Sequence, residues 1–82
     1  MSRSDAPRLH ALSALRPGAR GRIARVTRDL TGRTERLAAV GVSAGATVRL
    51  LQTFPGIVFE CDQTELAVER VVARSILVEL EE

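Results

Sequence analysis

The sequence predicts a mainly β fold: a small antiparallel barrel of about five short strands, with one short α-helix between the first two. Three observations carry this. Short stretches of alternating apolar residues recur along the chain, separated by turn-forming pairs such as Pro17-Gly18, Pro55-Gly56 and Asp62-Gln63. The chain has 82 residues, 45% hydrophobic and 27% charged, which is the balance of one folded domain. A chain this short buries only about 60% of its unfolded surface, and a partly closed sheet removes edges that invite aggregation.

The elements follow in order. Residues 1–8 are polar, carry Pro7 and show no periodicity, so they read as a tail before a domain at 9–82. Leu12 and Leu15 are spaced for one helical turn, which Pro17-Gly18 ends as a type II turn. Arg20 to Thr27 reads as a strand. Ile23 and Val26 break strict alternation, so a bulge is needed to turn both inward.

The helix is predicted over Gly32 to Val40. Thr31 is a plausible N-cap, Glu35 suits the positive end of the dipole, and Leu37 and Val40 share the buried face. Gly41 stands where a left-handed residue ends a helix, and Val42 can pack back on Leu37 in a Schellman cap. Ser43-Ala44-Gly45 then repeats the chemistry of Arg16-Pro17-Gly18. The match extends to Ile23 and Leu50, as one turn-into-strand device used twice.

Strands follow at Ala46 to Thr53, Ile57 to Cys61, Thr64 to Glu69 and Ile76 to Leu80. Pro55-Gly56 joins the first two of these and Asp62-Gln63 the next two, as a tight hairpin. Val71 to Ser75 has room for one helical turn only.

Charge narrows the function classes. Residues 1–49 hold ten Arg and three acids, and residues 50–82 hold two Arg and seven acids, within a net charge of +2. The two halves either form opposite faces or interleave in the sheet. Seven arginines from Arg16 to Arg36 make a small-barrel nucleic-acid binder the alternative function. Only Phe54 and Phe59 could stack bases, which weakens it, so no specific nucleic acid is expected. No apolar run approaches the ~18 residues of a membrane span, so no membrane insertion is expected. The polar start lacks an apolar leader, which makes the cytoplasm the expected location.

Catalysis has little to stand on. The chain has one His, His10, one Cys, Cys61, and no Lys. A Ser-His-acid set, a phosphate-binding loop with its Lys and a Cys/His zinc cage are all out of reach. No cofactor is expected. The one metal reading is a weak gathering of a hard divalent cation by Glu60, Asp62 and Glu65 around the hairpin, against a plain solvated acidic edge. Cys61 alternates with Ile57 and Phe59, so it reads as a buried core thiol. Phe54, at the mouth of the Pro55-Gly56 turn, either plugs the barrel end or stands out as an apolar anchor for a partner. Arg36 is a second partner-contact candidate, at the edge of the Leu37/Val40 stripe.

The ordered pattern Leu12-x-x-Leu15-x-Pro17-Gly18-x-x-Gly21-x-Ile23-x-x-Val26, then Arg36-Leu37-x-x-Val40-Gly41-Val42-x-x-Gly45-x-x-Val48, resembles the FeoA family. Leu66, Val68, Ala73, Ile76 and Val78 extend the resemblance to nearly the whole chain. It implies an SH3-like barrel and a regulatory partner of FeoB, the bacterial ferrous iron transporter with a cytosolic G-protein domain. It makes Fe2+ the divalent cation that the hairpin carboxylates would weakly gather, and it leaves self-association open. The same domain type occurs as a module of metal-dependent repressors. Ala44 stands where the family usually has Pro, and Glu69 where it often has a basic residue.

Overall fold

The computed structural model describes residues 8–28 and 32–81. The strands are β1 (Leu9–Ala11), β2 (Arg20–Val26), β3 (Thr47–Gln52), β4 (Ile57–Cys61), β5 (Thr64–Val68) and β6 (Ile76–Leu80), with one helical turn, α1 (Arg70–Ala73). All six strands form one antiparallel sheet in the order β1-β6-β2-β3-β4-β5. The expected tail, residues 1–8, lies almost wholly outside the described residues, as does the expected cap at Thr31.

The sheet departs from the sequence reading in three ways. Among the described residues there are six strands rather than about five, because β1 pairs with β6, Leu9 opposite Glu79 and Ala11 opposite Leu77. The ladder is open, with β1 and β5 at its edges and no pairing between them. Edges of three and five residues offer short templates, which limits the hazard that closure would have removed.

Third, the segment between Gly32 and Gly41 is not an α-helix between the first two strands. It is a pair of 3₁₀ turns, Arg33–Arg36 and Ala38–Val40, between β2 and β3. Its hydrogen bonds run three residues back, as from Glu35 N to Gly32 O (3.2 Å) and Leu37 N to Thr34 O (3.1 Å). Such winding eclipses residues three apart. Thr34 and Leu37 stack in this way and are buried, but Val40 ends a separate 3₁₀ run, Ala38–Val40, stopped by Gly41, and is 55% exposed rather than on the core face. The stop is as expected: Gly41 is left-handed (φ 93°), its amide donates to Ala38 O (3.1 Å), and Val42 N donates to Leu37 O (2.9 Å). Those two bonds make the Schellman cap, and Val42 is buried.

The bulge in β2 is present. Register against β6 slips between Ile23 and Arg25, so Ile23 is buried and Val26 packs against the core edge. Leu12, Ile23, Leu50, Phe59, Ile76 and Val78 form the centre of the core. Leu12 opens a 3₁₀ turn to Ala14, and α1 buries Val72 and Ala73. No helix among the described residues is long and apolar enough to cross a membrane.

Candidate partner-binding surface

The two halves of the charge distribution interleave. Arg22 lies opposite Glu79 across the β2–β6 ladder. Arg49 lies opposite Glu60, with Nη2 3.2 Å from its carboxylate, and Arg20 Nε is 3.9 Å from Glu81. Period-two alternation sends these residues to the outer face, and antiparallel pairing sets acids beside bases. The arginines therefore meet carboxylates on the sheet instead of forming one unbroken basic stripe, which disfavours the nucleic-acid alternative.

The acidic hairpin turns on Asp62 and Gln63, which have φ 50° and 73°. Glu60 lies opposite Glu65 and is engaged by Arg49. Asp62 occupies the turn itself. Among the described residues, no group of three or more His, Cys, Asp and Glu side chains is placed to hold a metal ion. His10 sits in β1 opposite Val78, away from the hairpin strands β4 and β5.

Cys61 is buried, and its Sγ lies 3.6 Å from Gly41 O, the carbonyl it donates to. Burial pushes the thiol above its ordinary pKa, and the Asp62 charge adds to the rise. A thiol held neutral is a poor nucleophile and a poor metal ligand.

The expected turn residues occupy turns. Gly18 and Gly45 have φ 93° and 94°, and Ala19 N and Ala46 N close the two turns onto Arg16 O (3.0 Å) and Ser43 O (3.1 Å). Pro17 belongs to the first of them. Pro55 and Gly56 belong to the bend between β3 and β4. Phe54 does not plug the sheet end: it is 83% exposed. Arg36 is exposed on the first 3₁₀ turn rather than at the edge of a buried helical stripe, since Val40 takes no part in one. A groove of about 420 Å³ opens between the end of β2 and the 3₁₀ turns, with Val26, Ala38 and Val42 as its apolar wall.

Two features escaped the sequence reading. Arg70 Nη2 donates to Thr53 O at 2.7 Å, tying α1 to the Phe54 loop. Val71, beside it, is 41% exposed. A bond between residues 17 apart leaves no local pattern, though an Arg heading a helix too short to need it is a faint signal.

Known proteins share this architecture. The FeoA protein of Chlorobium tepidum is 28% identical, with TM-score 0.78, over 89% of this chain and 71% of that one. A manganese-dependent transcriptional repressor is 28% identical, with TM-score 0.81, but the match covers 93% of this chain and only 44% of the repressor. The zinc complex of Stenotrophomonas maltophilia FeoA, a procaryotic SH3 domain protein, is 19% identical, with TM-score 0.76, over 87% of this chain and 94% of that one. That last likeness shows the SH3-like fold alone. No match was found among curated proteins. The FeoA domain model matches residues 10–80, from β1 to the end of β6. With nearly every described strand inside that match, the chain belongs to the FeoA domain family.

Proposed function

We propose that the protein is a non-catalytic accessory protein of ferrous iron transport. It works in the cytoplasm, by direct contact with the cytosolic G-protein domain of a FeoB-type membrane transporter. The match of the FeoA domain over residues 10–80 carries the reading, because that family is associated with ferrous iron transport. The S. maltophilia relative is itself described in terms of ferrous iron transport.

The surface supports action by contact. On the sheet Arg49 pairs with Glu60 and Arg20 lies near Glu81, and Cys61 is buried with its pKa raised. Phe54 is a large aromatic held in water, which is the usual mark of a protein-binding anchor. Arg36 offers a cation for an acidic partner surface.

The test is binding of the purified chain to the purified cytosolic domain of the transporter. Saturable, stoichiometric binding at physiological salt is expected. No binding under any nucleotide state of the G domain overturns the proposal. Tight nucleic-acid binding that survives physiological salt does so as well, by pointing to specific rather than phosphate-only contacts.

A further inference from the structure

Three large apolar side chains are exposed among the described residues: Val40, Phe54 and Val71. Two of them, Phe54 and Val71, lie at one end of the sheet. The register puts them there. Ile57 pairs with Val68, so the loop before β4 and the helix after β5 leave the ladder at the same point.

Side chains then fix the loop from both sides. Arg70 Nη2 donates to Thr53 O (2.7 Å), and Gln52 Nε2 reaches across the bend to Gly56 O (3.4 Å). An aromatic on a loop held in this way has little conformational freedom left to lose when it docks.

The flanking charge is positive. Arg70 opens α1 and Arg74 follows it as the C-cap residue, with Arg74 N donating to Arg70 O (3.1 Å). Both side chains are exposed, and the Arg70 guanidinium is the one that donates to Thr53 O. A partner carboxylate arriving at this rim would accept charge-assisted hydrogen bonds from exposed arginine.

We infer that this end of the sheet, with Phe54 and Val71 flanked by Arg70 and Arg74, is the docking face for the transporter's cytosolic domain. The partner it fits offers an apolar pocket rimmed by carboxylates. The inference rests on the function proposed above and adds the surface and the partner's chemistry to it.

Calorimetry with the full chain and the purified cytosolic domain tests it. Phe54→Ala should lower affinity ten- to a hundredfold, and Arg74→Glu at least tenfold. Thermal midpoints should stay within a degree or two, since both side chains are exposed. Arg22→Ala, on the outer face of β2, should bind as wild type. If wild type binds and both Phe54→Ala and Arg74→Glu bind equally well, the face is wrong while the function stands. If wild type does not bind, the function and the face fall together. Should Phe54→Ala lose stability, Val71→Glu decides: a tenfold loss at an unchanged midpoint supports the face, and wild-type affinity overturns it. Vesicles of phosphatidylcholine and phosphatidylglycerol at 3:1 supply the other arm. Sedimentation that depends on Phe54, with no Phe54 dependence toward the cytosolic domain, assigns the face to a lipid surface and overturns the inference.

Discussion

Gly18 and Gly45 make the same hydrogen bond in opposite directions across one ladder. The Gly18 amide donates to Leu50 O at 2.7 Å, and the Gly45 amide donates to Ile23 O at 2.8 Å. The returns match too: Leu50 N donates to Ala19 O (2.9 Å) and Ile23 N to Ala46 O (2.8 Å). Gly21 opposite Val48 lies at the middle of this local two-fold relation. The short repeat in the sequence, Pro17 to Ile23 and Ala44 to Leu50, is thus two turns that each start one strand and cap the other.

Equal roles predict equal costs. A Cβ at Gly18 or Gly45 meets nothing within 4 Å, so only the left-handed backbone resists it. Gly18→Ala and Gly45→Ala should each destabilise by about 1–2 kcal/mol, measured by urea denaturation. A difference of more than about twofold between them would remove the two-fold reading.

Gly21 is constrained by space rather than by its dihedral angles. A Cβ there would sit 2.7 Å from Val78 Cγ1 and 3.0 Å from Leu80 Cα, and would also strike the Glu79 carbonyl oxygen. Backbone cannot yield as a flexible side-chain tip can. Gly21→Ala should cost about 2–3 kcal/mol by overpacking the β2–β6 ladder. A midpoint within a degree or two of wild type would show that the strands part more easily than the register implies.

Gln63 is the second central residue of the β4–β5 hairpin and has φ 73°. Two-residue turns with positive φ at both positions favour Gly second. Gln63→Gly should stabilise by roughly 0.5–1 kcal/mol, less the entropy that Gly adds to the unfolded chain. Chemical denaturation checks it, and a clear loss of stability would mean the Gln63 side chain makes a contact of its own.

Cys61 should resist alkylation in the native state and react once the chain unfolds. Its pKa is raised in the fold by burial and then by Asp62, so the folded state holds its proton to higher pH than the unfolded state does. Above roughly pH 8.5 the unfolded thiol ionises first, and stability falls as pH rises further. Below that range the thiol is neutral in both states and contributes no slope. Thermal melts of Cys61→Val should lack this alkaline decline. Rapid labelling of native protein by iodoacetamide at pH 7.5 would contradict the burial.

Arg36→Glu tests the second contact. If the proposed partner contact also reaches the 3₁₀ turns, which lie beside Cys61 at the other end of β4 from Phe54, reversing Arg36 should weaken the complex by ~1–3 kcal/mol. Folding should change by only about 0.5 kcal/mol, as at most surface positions. Unchanged affinity would make Arg36 a solvated charge, and a parallel fall in affinity and melting temperature would make it structural.

What the sequence determined by itself is the local chemistry. Turn positions were legible at Gly18, Gly41, Gly45 and the Asp62-Gln63 hairpin, because a left-handed residue leaves a compositional mark at one place. Alternation marked β3, β4, β5 and β6, since each turns one apolar face toward the core, and the misfit of Ile23 and Val26 marked the bulge. Tertiary structure decided the rest. Leu9-His10-Ala11 is too short to alternate, and it is a strand only because the β6 edge pairs with it. The Gly32–Gly41 segment reads as helix by composition. It winds as 3₁₀ turns between two left-handed glycines, and its buried residues are Thr34 and Leu37. An isolated run that short has no helical stability of its own, so the packing surface chooses the winding and leaves Val40 in water. The arginines look like a basic half until the register lays Glu79, Glu60 and Glu81 beside them. The Phe54 end needed both, because sequence supplies the exposed aromatic, and only the fold brings Arg70 within 2.7 Å of the loop that carries it.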